Sequence, residues 1–232
     1  FEGTRAKEYL NECIDLGWVS SSGEWVNKFE EQIRLKTNSK YAIAVTNGTD
    51  GIRLALHVVG VKNNHEVLLP SLTFVATANA ISHLGAIPHF VDIEDSTFGI
   101  CPNLLEEYLL ENTIFKDGIT YNKKSHRRIS AIIPVHIFGI PSEIKKIVSI
   151  ANKWNIRVVE DAAEALGSFA GNVHCGLIGD IGVLSFNGNK IVTCGGGGIL
   201  ITNNSIFAKK AKHLSTTAKV SHEFELIHDE IG

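Results

Sequence analysis

The tightest limit on how this chain can fold is an alternation: short apolar runs, too brief for helices, followed by segments of helical spacing. The runs are Tyr41–Val45, Glu66–Leu69, Ile87–Val91, Ile129–Val135, Ile156–Val159, Ile181–Phe186 and Gly198–Thr202. Around them, Arg5–Leu16, Glu24–Leu35, Gly51–Val59, Thr73–Leu84, Leu104–Leu110 and Ile206–Leu214 carry the helical pattern. Pro141 opens a further helix with Ile144, Ile147, Val148 and Ala151 on one face. Strands apolar along their whole length are covered on both faces, and strand–helix alternation gives parallel pairing. The expected fold is α/β, a mostly parallel sheet covered by helices on both faces. No repeat, low-complexity tract or long linker divides the chain, so one domain is expected. Glu111–Arg128 is polar and breaks the pattern; it is expected to be an irregular surface excursion.

Composition removes several classes of function. With 44% hydrophobic and 20% charged residues, the chain can bury a full core. A net charge of -3 gives no electrostatic footprint for nucleic acid or an anionic membrane. The basic cluster Lys123-Lys124-Ser125-His126-Arg127-Arg128 reads as a solvated loop. Cys13, Cys101, Cys175 and Cys194 are scattered, as expected of reduced thiols in a cytoplasmic protein rather than a disulfide framework or zinc site. The histidines show no metal-ligand spacing, so no metal is expected. No apolar run is long enough to span a bilayer, and Phe1–Leu10 has no signal-peptide core. The chain begins at Phe1, holds no Met, and ends at Ile231-Gly232 without a stop signal of its own. It is therefore expected to be a piece of a longer reading frame.

Chemistry concentrates between Val158 and Thr202. One apolar strand delivers Glu160-Asp161-Ala162-Ala163-Glu164; a second delivers Ser185-Phe186-Asn187-Gly188-Asn189-Lys190, and Gly195–Gly198 follows. An acid and a lysine near the carboxyl ends of strands lie where open α/β sheets bind ligands. Buried, each needs a partner. A pyridoxal phosphate (PLP) site needs this inventory: a lysine for covalent attachment, an acid for the ring nitrogen, hydroxyls and amides for the phosphate. Upstream, Asn47-Gly48-Thr49-Asp50 turns a strand into a helix and frees backbone N–H groups at its start. Such a turn is either a phosphate seat or an ordinary capped connection. Gly195–Gly198 is not a dinucleotide fingerprint, because Leu200 stands at the sixth position, and Gly188-Asn189-Lys190 is not a P-loop. Close backbone approach beside the lysine is the better reading of the glycines.

Together, Asn47-Gly48-Thr49-Asp50, Pro70-Ser71-Leu72-Thr73-Phe74-Val75-Ala76-Thr77, Val135-His136-Ile137-Phe138-Gly139, Glu160–Glu164 and Ser185–Lys190 resemble the DegT–StrS sugar aminotransferases. These are PLP-dependent enzymes of fold type I. Gly17-Trp18-Val19-Ser20 and Ser185–Lys190 look most like members that place a 4-amino group on nucleotide-linked 4-keto-6-deoxy sugars for surface polysaccharides. The resemblance implies that Lys190 carries PLP and moves protons, that Asp161 holds the ring nitrogen, and that Phe74 stacks on the ring. It implies further that Glu164, where many members carry Gln, lies beside the ring oxygen. Gly48, Thr49, Asp50, Ser185 and Asn187 complete the cofactor-binding set, with amides and the Ser185 hydroxyl on the phosphate. His136 either lines the sugar pocket or satisfies a strand end; Cys194 has no assigned role.

The expected activity is transfer of an amino group from glutamate to a nucleotide-linked keto sugar by a homodimer. Residues 1–232 would be its PLP-binding large domain, with a smaller carboxyl-terminal domain outside them; alone they are expected to bind PLP weakly and transaminate slowly. Two rivals remain, a dehydratase of the same fold, against which Lys190 argues, and a PLP-binding homologue without turnover.

Overall fold

The computed structural model describes residues 3–18, 23–219 and 228–230. In chain order its elements are α1 (Ala6–Asp15), α2 (Glu24–Thr37), β1 (Tyr41–Val45), α3 (Gly48–Val58), β2 (Glu66–Pro70), α4 (Val75–His83), β3 (Ile87–Val91) and α5 (Pro102–Asn112). There follow β4 (Thr113–Lys116), β5 (Ile119–Asn122), β6 (Ile129–Ile132), α6 (Ile144–Lys153), β7 (Arg157–Asp161), β8 (Phe169–Ala170), β9 (Val173–His174), β10 (Ile181–Ser185), β11 (Gly198–Thr202) and α7 (Ser205–Ser215).

Seven strands form one sheet in the order β1-β11-β10-β7-β6-β2-β3. Pairing is parallel from β10 to β3, and only β11 runs against its neighbours. Successive residues point to opposite faces, and both faces are covered. Val67, Leu69, Ala131, Val159, Val183 and Leu200 pack with Ile52 and Leu56 of α3, Ile81 of α4 and Leu214 of α7. Their neighbours Leu68, Ile132 and Val158 turn the other way, onto Leu105 of α5 and Ile147 of α6. Leu184, Ile199 and Ile201 continue that second face towards Ile33 of α2. Each fully buried aliphatic side chain contributes about 1.5–3 kcal/mol, so the two-faced sheet is the main hydrophobic stabiliser. It also fixes the carboxyl edge: Asp161 ends β7 and Ser185 ends β10. Because β11 is antiparallel, its first residue, Gly198, lies between Val45 and Ser185.

Several boundaries differ from expectation. Glu111–Arg128 is not irregular. It finishes α5 and forms the antiparallel hairpin β4–β5, turned at Asp117 (φ 53°) and Gly118 (φ 75°). Asp-Gly is a favoured two-residue hairpin turn because both positions need positive φ. Asn122 Nδ2 donates to Glu66 Oε2 at 2.9 Å and ties the hairpin to the sheet. Glu66, 2% exposed, also meets His89 Nδ1 at 3.0 Å and the hydroxyl of Ser125. The strand expected over Ile129–Val135 stops at Ile132, and a single bridge from Val135 to Asp161 follows. The helix after Pro141 starts only at Ile144. A small hairpin, β8–β9, turns at Gly171 (φ 71°). Val19 and Ser20 lie outside the described residues.

Candidate active site

A cavity of about 270 Å³ opens at the carboxyl edge of the sheet. Asn47, Gly48, Thr49, Phe74, Val135, His136, Asp161, Glu164, Ser185, Asn187 and Lys190 are among the residues lining it. One wall is the start of α3. Asn47 is extended (φ -164°, ψ 172°), and its Oδ1 accepts from the Asp50 N–H at 2.8 Å. That cap leaves Gly48 and Thr49, at the first two helical positions, with amides that no intrahelical carbonyl can reach. The positive end of the helix dipole adds to them, so this wall favours an anion. A Cβ at Gly48 would stand 3.1 Å from Ser185 Cβ, so glycine lets helix and hydroxyl approach.

The Asp50 expectation fails on this geometry. Its amide is engaged by Asn47, and its Oδ2 accepts from Thr46 Oγ1 and Asn47 Nδ2, both at 2.8 Å. Asp50 faces away from the cavity towards Arg53 and His57, and the anion wall falls to Gly48 and Thr49.

Gly198 explains the end of the glycine run. A Cβ there would stand 2.6 Å from Asn47 C and 2.9 Å from Gly48 N, both backbone atoms. Close approach at this point is what brings the α3 terminus onto the sheet edge. Gly198→Ala is expected to push the terminus away and to cost roughly 1–3 kcal/mol of stability. Thermal unfolding together with inorganic phosphate affinity checks this; an unchanged melting temperature would contradict it.

Opposite lies Lys190. Its side chain is 12% exposed, and Nζ sits 3.1 Å from Glu164 Oε1 and 5.8 Å from the centroid of Phe74. Glu164 is itself held, since its Oε2 accepts the Phe138 N–H at 3.0 Å, with Phe138 at φ 51°. The Asn187 carbonyl accepts the Lys190 N–H at 3.0 Å, and Asn187 Nδ2 donates to Asn189 Oδ1 at 3.1 Å, so a tight turn presents the lysine. Phe74 caps α4 rather than lying in its first turn, and 70% exposure removes it from the core. An aromatic face left open beside an amine is suited to a flat ring.

Asp161 forms the floor at 5% exposure. Oδ2 accepts from Thr77 Oγ1 at 2.7 Å and Oδ1 from the Ala163 N–H at 3.1 Å. Burial pushes its pKa above the usual carboxylate range; the Thr77 and Ala163 hydrogen bonds and the charges of His136 and Lys190 oppose that rise. No cation is hydrogen-bonded to it among the described residues. The sequence reading gives Thr77 no role, although it stands four residues after Thr73, which lies just ahead of the α4 cap Phe74.

His136 and Glu160 form a separate, wholly buried pair. The Ser142 amide nitrogen lies 3.2 Å from Nδ1, and Nε2 meets Glu160 Oε2 at 2.9 Å. Glu160 also accepts from the amides of Gly176, Ile178 and Gly179 at 2.8, 2.7 and 2.6 Å. Both ring nitrogens are occupied, which satisfies the strand end, and His136 also lines the cavity. The four cysteines are free. Burial pushes the Cys194 thiol above its usual pKa, which makes it a poor nucleophile. Among the described residues no cluster could hold a metal, and no helix is long and apolar enough to cross a membrane.

Comparison with known proteins gives this cavity a context. The profile of the DegT/DnrJ/EryC1/StrS aminotransferase family matches residues 2–232. A GDP-perosamine synthase of Escherichia coli O157:H7 is 36% identical over 228 residues, 98% of this chain and 58% of that protein. The structure of DesI, solved in the presence of its TDP-sugar product, superposes with a TM-score of 0.80 at 30% identity, over 92% of this chain and 50% of that one. NtdA from Bacillus subtilis, with bound cofactor PMP, superposes at 0.82 and 28% identity, over 100% of this chain and 49% of that one. The chain thus spans about half the length of these relatives. It belongs to the DegT/DnrJ/EryC1/StrS aminotransferase family.

Proposed function

We propose that residues 1–232 are the cofactor-holding large domain of a PLP-dependent aminotransferase that acts on a nucleotide-linked 4-keto-6-deoxy sugar, with glutamate as amino donor. The observation that carries this is one cavity holding a lysine amine, an open aromatic face, a buried acid without a cation, and an anion-binding helix start. Those groups match the amine-reactive carbon, flat ring, ring nitrogen and phosphate of PLP in kind. The relatives named for a GDP-linked sugar and for a TDP-sugar product support a nucleotide-linked sugar as acceptor. A homodimer and a cytoplasmic location belong to the same proposal, the latter supported by four free thiols.

When bound, the cofactor supplies a carbon that accepts amines and a ring that draws electrons from the neighbouring carbon as its proton leaves. The chain does the rest. Gly48 and Thr49 amides with the Ser185 hydroxyl would bind the phosphate and so position the cofactor. Phe74 covers one ring face and keeps water from it. Asp161 holds a proton on the ring nitrogen. Lys190 Nζ would take the proton from the donor carbon and return it to the carbon on the far side of the amine nitrogen, so one base would serve both transfers. Glu164 and the Phe138 amide keep Nζ aimed at that position.

The purified protein should show a near-visible absorbance band with PLP. Glutamate should bleach it, and a nucleotide-linked 4-keto sugar should restore it; no response to glutamate or any other amino donor would sink the proposal. Glu164→Gln is expected to be mild, with kcat within about tenfold, because the pair with Lys190 is partly exposed and such pairs contribute little. Steady-state kinetics check it.

A further inference from the structure

Asp161 does not stand alone beneath the cavity. Thr77, fully buried on α4, points its hydroxyl at Oδ2, and Thr73 Oγ1 lies 2.8 Å behind that hydroxyl. Thr73 Oγ1 is also 3.2 Å from the Phe74 carbonyl, so the chain of hydroxyls ends on an acceptor. On the other side the Ala163 N–H can only donate, so Oδ1 is an acceptor whatever the state of the acid. Any proton on Asp161 therefore sits on Oδ2, facing Thr77.

Both states find partners. With Asp161 ionised, Thr73 donates to Thr77 and Thr77 donates to Oδ2. With Asp161 protonated, Oδ2 donates to Thr77, Thr77 to Thr73, and Thr73 to the Phe74 carbonyl. Two hydroxyls turn over and no buried polar atom is orphaned. We propose that Thr77 is the positioning residue of the acid: its hydroxyl, backed by Thr73, aims Oδ2, favours the ionised state and remains satisfied if that state is lost. This rests on the cofactor reading only for its purpose, since the geometry belongs to the chain.

Burial works against the ionised form, and the other charges facing Asp161 are His136, tied to Glu160, and Lys190, tied to Glu164. Thr77 is the hydroxyl donor that touches the carboxylate. Thr77→Val keeps the shape and removes it; Thr77→Ser keeps the hydroxyl. Removal should raise the folded-state pKa of an acid that burial already raises. A raised acid loses stability as pH climbs from the unfolded value towards the folded one. The Val deficit should therefore widen as pH rises, whereas lost packing would be constant.

The test is thermal unfolding of the cofactor-free full chain between pH 4 and 8 for wild type, Thr77→Val and Thr77→Ser. Alongside it, affinity is measured for PLP and for the analogue with carbon in place of the ring nitrogen. The expected result is a melting-temperature deficit in Thr77→Val that widens with pH, and none of that widening in Thr77→Ser. The preference for PLP over the analogue should fall about tenfold or more in Thr77→Val and return in Thr77→Ser. A deficit that stays constant across this range overturns the proposal, whatever the affinities do. A wild type with no preference for PLP overturns the cofactor reading instead and leaves the pH result to decide on Thr77.

Discussion

Lys190→Ala should bind PLP without covalent attachment and lose transamination by on the order of 10³-fold or more. Two functions leave with one side chain. The first is attachment: Nζ is the amine in the cavity, 3.1 Å from Glu164 Oε1 and over the Phe74 face at 5.8 Å. The second is the proton transfer, for which no other base is poised among the described residues: Glu164 is anchored to the Phe138 amide, and His136 has both nitrogens engaged. Folding should survive, because Lys190 sits on a loop between β10 and β11 and packs in no core cluster. The measurement is borohydride reduction followed by peptide mapping. In wild type the label should fall on Lys190; a label on another lysine, or retention of activity in the variant, would reject the assignment.

How much of this was legible follows from the range of each interaction. The sheet was readable because period-two burial on both faces imposes unbroken apolar strands, as in Val67-Leu68-Leu69 and Val158-Val159. The close approach expected of Gly195–Gly198 beside the lysine holds only for Gly198, and there against Asn47 and Gly48 at the start of α3. Gly195 and Gly196 face open space, and Gly195 and Gly197 serve the turn with φ of 89° and 144°. The β4–β5 hairpin was missed although Asp117-Gly118 is a strong local signal. The polar residues around it disguised anchors that lie far away in sequence, Asn122 on Glu66 and Thr120 Oγ1 on the Trp154 carbonyl at 2.5 Å.

At the site, single residues fared differently for the same reason. Asp50 was expected to offer its amide, but the Asn47 side chain reaches it first, a local competition that spacing alone does not rank. Phe74 was expected to stack on a ring, with a core residue on a helix as the lesser alternative; its position as the cap, outside the helix, is what exposes the ring. Glu160 stood in the same motif as Asp161, one residue away. Alternation along β7 sends the two carboxylates to opposite faces, one to a nest of amides and His136, the other to the cavity. Only the phase of the strand, fixed by its neighbours, tells which acid meets the ligand.

That division makes Asp161→Asn the sharper test, because stability and rate should move in opposite directions. The amide carbonyl can still accept the Ala163 N–H, and its NH₂ can donate to Thr77 Oγ1, so both protein contacts survive. What disappears is a buried charge. Burial raises the Asp161 pKa, so ionisation at neutral pH destabilises the empty domain. The Asn variant should therefore melt higher than wild type near neutral pH. The gain should vanish as pH falls and Asp161 takes up its own proton, since the folded pKa lies above the unfolded one. Catalysis should fall on the order of 10²–10³-fold, as for the loss of one preorganised electrostatic group. An amide does not hold a proton on the ring nitrogen, so the carbon acid beside Lys190 loses its electron sink. PLP should still attach to Lys190, because attachment uses the other side of the cavity. Calorimetry across pH and single-turnover kinetics with glutamate separate the two effects. A variant that is neither more stable nor slower would mean that Asp161 is neutral in the resting domain and does not touch the cofactor.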